Sequence, residues 1–307
     1  MTYQEMKQPN KEQESGVDKN AIILEHNLHI VEANFFRGKK NITRVMDSQG
    51  NRLILKTGGI DKFQPDLFKI AKEIEAKLDF NVPTIVKQGE GWILLEEIQG
   101  KFLNEFYNEN PDWCVETSYK VAQSYQRVIA EFVKRKSLGN ILGEGQDWLF
   151  SRLDMWSKPI IDAGLIDFSL VDQLKKEFED AIRQKGEHFF GLVHGNIIGD
   201  HIVIVGDDMY LLDVNAIPRP GKGYYDFLRA LDFMCLKMED EKQMLTSIPK
   251  WIKQYLSEFD DSELRLLFAF RNIGILGWDI LYHEVEYISN DIELKKQLAL
   301  KFIKREY

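Results

Sequence analysis

Two periodicities divide the chain: short apolar runs of strand length fill its first hundred residues, and helical spacing dominates after Gly100. Between Leu28 and Thr57, HIVEANFF, ITRVMD and RLILKT predict strands, with a Ser48–Asn51 turn before the last. Asp61 to Leu78 predicts a helix, because Leu67, Ile70, Ala71, Ile74 and Leu78 fall on one face. Val82-Pro83 and Gly91–Glu96 predict two further extended segments. The boundary falls at Ile98-Gln99-Gly100. Beyond it, Tyr119, Ala122, Tyr125, Ile129 and Phe132 mark a helix over Glu116–Phe132, and Val171, Leu174, Phe178 and Ala181 mark another over Ser169–Arg183. Leu192 to Phe233 breaks this helical run and reads as a polar loop, a tight hairpin, a Pro/Gly loop and a helix opened by Asp226.

That last segment carries the candidate chemistry. His194 and Asn196 open the loop, His201 ends it, Asp213 follows the second hairpin strand and Asp226 comes thirteen residues later. Groups of metal-ligand and acid/base type beside short apolar strands suit phosphoryl transfer, because strands hold such groups rigidly. Asp213 is the strongest candidate, since a carboxylate at the end of an apolar strand needs compensation that a magnesium ion supplies.

The residues His194-Gly195-Asn196-Ile-Ile-Gly-Asp-His201, Leu212-Asp213-Val214 and Tyr225-Asp226-Phe227 resemble the catalytic core of aminoglycoside phosphotransferase-like members of the protein-kinase-like superfamily. The family pattern is H-G-D-x-x-x-x-N, then I-D-[FLW], then Y-D-[LIF]. Asn196 therefore stands at the catalytic aspartate position, and His201 at the metal-binding asparagine position, as in the similar macrolide phosphotransferases. The resemblance spans about residues 28 to 285 and is sharp only between Leu192 and Phe227.

The resemblance implies an α+β, two-lobed protein-kinase-like fold. Residues 1–20 form a polar tail expected to be disordered, 21–99 a small antiparallel-sheet N-lobe, and 100–307 a mainly helical C-lobe. It implies Mg2+ and ATP or GTP, with Lys56 holding phosphates and a helix carboxylate, Glu73 in preference to Glu75, pairing with that lysine. Gly38 and Lys39, in the basic RGKKN loop, and Glu97 join the nucleotide contacts, although one glycine fails the G-x-G-x-x-G pattern. Asp213 and His201 are the metal residues; His201 can instead orient a metal-bound water or a phosphate oxygen, since magnesium prefers oxygen ligands. His194 and Asp226 brace the loop backbone.

Asn196 accepts a hydrogen bond from a hydroxyl but cannot take its proton, so Asp200 is the substitute base in the loop. Arg219 and Lys222 in the Pro/Gly loop are candidates for an anionic contact, and Trp278, Tyr282 and His283 fall where the resemblance places a substrate pocket. The function expected is transfer of a terminal phosphate to a small-molecule hydroxyl; the alternative is an impaired nucleotide-binding pseudokinase or scaffold.

Composition narrows the partners. A formal charge of −9 and 29% charged residues exclude a broad nucleic-acid-binding surface. Cys114 and Cys235 have no metal-type spacing, so neither a disulfide framework nor a zinc site is expected. The polar first twenty residues lack a signal peptide's apolar run, and Arg271 and Asp279 interrupt the most apolar late stretch. A cytoplasmic protein with no membrane or nucleic-acid partner is expected.

Overall fold

The computed structural model describes residues 17–33, 41–58, 60, 63–136, 141–221, 223–237, 241–257, 260–281, 300–301 and 303–304. Two compact units form: Met1–Lys101 with Val203–Asn215, and Phe102–Ile202 with Ala216–Tyr307.

The first unit is built on a five-stranded antiparallel sheet of order β1-β2-β3-β5-β4. Its strands are β1 (His29–Glu32), β2 (Ile42–Met46), β3 (Arg52–Thr57), β4 (Ile85–Gly89) and β5 (Trp92–Glu96). Period-two patterning sorts β3: Leu53, Leu55 and Thr57 are buried, while Ile54 and Lys56 lie half-buried on the opposite face. A short helix, α1 (Lys19–Glu25), is capped by Asp18, whose carboxylate accepts from Asn20 N at 2.9 Å and Ala21 N at 3.2 Å. Its Ile22 and Ile23 join Leu28, Val45, Leu53, Leu55 and Leu94 in one apolar cluster. This helix starts inside the segment expected to be a disordered tail, because Asp18 caps it and two isoleucines anchor it.

Helix α2 (Gln64–Glu73) is shorter at both ends than the apolar spacing suggested. Pro65 fits its first turn, and a 3-10 turn over Glu75–Lys77 takes up the remainder. The hairpin of β8 (Ile202–Val205) and β9 (Asp208–Leu211) turns through Gly206, at φ +61°, and joins β6 (Lys101–Phe102) in the order β6-β8-β9. Asn81 clamps β9 from both sides of one residue: its N–H donates to Met209 O at 2.7 Å, and its carbonyl accepts from Leu211 N at 2.9 Å. A Cβ on Gly100 would lie 2.3 Å from Ile204 O, so only glycine permits this approach. These contacts correct the expected division: the first passage falls at residue 101, and residues 203–215, assigned above to the C-lobe, pack with the first unit.

The second unit is helical. It contains α3 (Pro111–Arg135), α4 (Ile141–Asp162), α5 (Phe168–Lys185), α6 (Tyr224–Lys237), α7 (Glu241–Tyr255) and α8 (Asp261–Leu281). Val121, Ala122, Tyr125, Val128, Ile129 and Phe132 form the buried stripe of α3. Helices α4 and α8 cross closely at Gly274 and Gly277, where Trp156 fills the space left by absent side chains. Around it Trp148, Phe178, Phe189 and Phe270 pack edge-to-face. Helix α4 had no counterpart among the sequence expectations, since Gly143, Gly145 and Pro159 interrupt it. The Pro/Gly loop expected after Asp213 is partly a strand, β10 (Ile217–Pro220), paired antiparallel with β7 (Phe190–Val193). Two prolines fit there because a two-stranded sheet leaves each strand one unpaired edge. Among the described residues, no helix is long and apolar enough to cross a membrane.

Candidate active site

In the first unit, strand β3 presents Lys56 away from the buried Leu53 and Leu55, and the chain leaving β9 brings Asp213 to it. Lys56 Nζ donates to Asp213 Oδ1 at 3.0 Å and to Gln64 Oε1 at 3.3 Å. Gln64 Nε2 also donates to Asp213 Oδ1, at 2.6 Å. Asn215 Nδ2 reaches Asp213 Oδ2 at 3.3 Å, and its Oδ1 lies 3.4 Å from Gln64 Nε2. One lysine, one carboxylate and two amides thus form a single polar cluster, in which Lys56 and Asp213 are 157 residues apart.

Two sequence assignments change here. The α2 group that meets Lys56 is Gln64, at the helix start and 1% exposed, and not Glu73, which lies exposed at the far end. Glu75 faces Lys72 at 2.9 Å. Pro65, a residue favoured in the first turn of a helix, was the sequence signal that could have placed the helix start at Gln64. Glu97 is committed within the sheet: its Oε1 pairs with Arg44 Nε at 2.8 Å and its side chain is 6% exposed, so its carboxylate does not serve a nucleotide. Gly38 and Lys39 lie outside the described residues, as do Lys222, Tyr282, His283 and the side chain of Trp278.

In the second unit, β7 ends at Val193 and the chain enters the His194-Gly195-Asn196 loop. Asp226, in the first turn of α6, grips this loop: Oδ2 accepts from His194 N at 2.9 Å and Oδ1 from Gly195 N at 2.5 Å. Burial pushes its carboxyl up to about 6, against the pull of His194, the two N–H groups and Arg219. His194 is itself buried, accepts from Asn196 N at 3.3 Å through Nδ1, and packs against the Tyr125 ring. Gly195 has φ +80°, and a Cβ there would meet Ile217 Cδ1 at 2.2 Å. Asp226 and His194 thus both accept from backbone N–H groups of this loop.

Asn196 is oriented by an arginine. Its Oδ1 accepts from Arg229 Nε at 3.2 Å, and because a guanidinium only donates, this contact fixes the amide's orientation. The carbonyl oxygen thus already accepts one hydrogen bond and keeps a second lone pair, while the amide NH2 adds donors. Arg229 was missed in the sequence. It stands three residues after Asp226 in α6, so helical spacing puts both side chains on the face that meets the loop.

His201 closes the loop's 3-10 turn, with Nδ1 3.0 Å from Asn196 O. A carbonyl can only accept, so Nδ1 donates in this contact. Neighbouring Asp200 is 2% exposed.

Among the described residues, no three His, Cys, Asp or Glu side chains gather as a metal site. Magnesium needs few protein ligands when phosphates and water supply the rest. The first-unit donors suit it: Asp213 and Asn215 offer hard oxygens, and the Lys56 ammonium already rests on the carboxylate as a positive charge.

At the level of sequence, no family model and no curated protein matches the chain. Solved structures do. An aminoglycoside phosphotransferase from Alicyclobacillus acidocaldarius aligns at TM-score 0.53 and 16% identity, over 97% of this chain and 98% of that one. Choline kinase from Streptococcus pneumoniae gives 0.53 and 12%, over 94% and 97%. Plasmodium vivax ethanolamine kinase gives 0.51 and 14%, over 94% and 85%. The chain has the α+β protein-kinase-like fold of these small-molecule kinases.

Proposed function

We propose that the protein transfers the terminal phosphate of a nucleoside triphosphate to a hydroxyl of a small molecule. The observation that carries this reading is the Lys56–Asp213 pair at 3.0 Å, which joins a sheet lysine to a carboxylate far along the chain. Lys56 binds phosphate oxygens; Asp213 and Asn215 hold a magnesium ion, which when bound neutralises charge on the phosphates. Gln64 keeps the lysine and carboxylate in register. Asn196 positions an oxygen through its amide NH2. Since phosphoryl transfer proceeds through a loose transition state, positioning and charge neutralisation supply most of the rate. Without a carboxylate at position 196, the acceptor's proton leaves late, to solvent, and the rate forgoes the roughly 10²- to 10⁴-fold that a general base contributes.

Two observations favour a second reading, a nucleotide-binding protein without turnover: Arg229 hydrogen-bonds the carbonyl of Asn196, and Asp200 is buried. Thermal unfolding with ATP or GTP, with and without magnesium, tests the nucleotide site, because ligands that bind the folded state raise its stability. A magnesium-dependent rise that disappears in Asp213→Ala is expected, and full retention in that variant would remove the metal assignment. Release of nucleoside diphosphate across a panel of hydroxyl compounds separates the two readings: turnover supports the enzyme, and binding without turnover supports the second.

A further inference from the structure

Four arginines of the second unit lie in one electrostatic neighbourhood: Arg152 on α4, Arg219 on β10, Arg229 on α6 and Arg271 on α8. The charges of Arg152 and Arg271 both act on Arg219, and that of Arg271 acts on Arg229. In a chain of net charge −9, this is a local reversal of sign.

Two carboxylates answer them. Asp232 pairs with Arg271 at 2.7 Å, both side chains buried, and Arg271 Nη1 also donates to Tyr225 Oη at 2.9 Å. Asp226 is engaged by the His194 and Gly195 N–H groups. The other three arginines form no ion pair among the described residues. Arg219 lies over the Trp148 ring, 3.7 Å from its centroid, and donates to Pro218 O at 2.7 Å. Arg152 lies 5.7 Å from the Trp156 centroid, with Met155 Sδ 3.7 Å from Nη1. Arg229 donates to the neutral amide of Asn196.

Two carboxylates do not balance four guanidinium groups: Asp226 acts on Arg219 and Asp232 on Arg229, yet burial still draws both arginines down to about 10. Rings and amides orient such a cation but do not cancel its charge. The two cations also flank the loop that carries Asn196. Arg229 touches Asn196 itself, and Arg219 Nε lies 3.9 Å from where a Cβ of Gly195 would stand. The Asn196 NH2 beside them adds a third donor.

We propose that the acceptor is an anion: a small hydroxyl compound bearing a carboxylate or a phosphate ester, bound by Arg219 and Arg229 beside Asn196. This rests on the phosphotransferase reading and names its substrate class. Planar guanidinium forks match carboxylate and phosphate oxygens two at a time, and the cations around Asn196 repel an ammonium-bearing acceptor.

The test uses the full chain and matched probes: glycerate and 3-phosphoglycerate as anions, glycerol as the neutral compound, and ethanolamine as the cation. Binding is read without nucleotide, by thermal unfolding and calorimetric titration at low and high salt. The anions are expected to bind and the other two not, with affinity falling as salt rises; glycerate against 3-phosphoglycerate tells carboxylate from phosphate recognition. Arg219→Gln and Arg229→Gln are each expected to weaken anion binding roughly ten- to a hundred-fold. Arg229→Lys is expected to recover part of it, and circular dichroism confirms that each variant is folded. Should a variant fail to fold, the probe series and salt dependence on the native chain decide. Equal binding of glycerol or ethanolamine, absence of binding by both anions, or anion binding unchanged in folded Gln variants would overturn the proposal. Anion binding without diphosphate release from any probe sinks the phosphotransferase reading and leaves the anion site standing. Diphosphate release with ethanolamine while anions do not bind does the reverse.

Discussion

Asp226 shows how one buried carboxylate couples loop geometry to pH. Its carboxyl stands at about 6 instead of 3.8, so between those values the folded chain keeps a proton that the unfolded chain has released. Its contribution to stability is therefore present in full below about 3.8 and is lost as pH rises through about 6. The loop responds in the opposite sense, because the ionised carboxylate accepts from both His194 N and Gly195 N, and protonation removes one of those acceptors. Turnover is expected to fall below pH 6 while this group's share of stability grows. Asp226→Asn should flatten both trends; melting temperatures and initial rates measured across pH 4 to 8 on both proteins check it, and an unchanged pH profile in the variant would assign the titration elsewhere. Asn196 carries a related lesson. The sequence put Asn196 where the resemblance expects an aspartate, but its orientation depends on Arg229, whose relevance only helix α6 reveals.

At the scale of elements, legibility followed regularity. β2 and β3 were readable as short runs rich in Ile, Val, Thr and Leu on either side of a turn, and α3 and α5 because one apolar stripe runs along each. Helix α4 was not, since Gly143, Gly145 and Pro159 weaken its propensity and its helical state is settled by packing against α8. β10 was hidden by its prolines, which a two-stranded ladder tolerates and a larger sheet does not. The α4–α8 crossing gives the clearest test of packing. A Cβ on Gly277 would lie 2.1 Å from the Trp156 carbonyl oxygen, a backbone atom that cannot rotate aside. Gly274 meets only ring atoms of Trp156, at 2.9 Å, and a ring can tilt. Gly277→Ala is therefore expected to destabilise by about 1–3 kcal/mol, and Gly274→Ala by less. Urea unfolding of the two variants gives the comparison, and equal losses would show that the helices separate as rigid bodies instead of adjusting around the tryptophan.

For the molecule as a whole, sequence order concealed the return of residues 203–215 to the first unit. A chain read from one end suggests a single change from sheet to helix after Gly100. What reverses it is long-range: Asn81 hydrogen-bonds β9 through its backbone N–H and carbonyl, and Lys56 takes Asp213. No local pattern encodes such pairings, although Asp213 itself was conspicuous at its strand end. The return also means that the proposed phosphate and metal groups lie in one unit made from two stretches of chain. A fragment of residues 1–101 contains Lys56 and Gln64 but lacks Asp213 and Asn215, and its Lys56 has lost its carboxylate. Joining 203–215 to that fragment through a flexible Gly/Ser linker restores both groups, because linker length adds only slowly to the entropic cost of closure. The linked fragment is expected to melt higher than 1–101 alone and to show a magnesium-dependent rise with ATP that the shorter fragment lacks. Introducing Asp213→Ala into the linked form should abolish the magnesium dependence while keeping the gain from β9 pairing with Asn81. If 1–101 alone showed the same magnesium-dependent stabilisation, the metal would be held by groups other than Asp213.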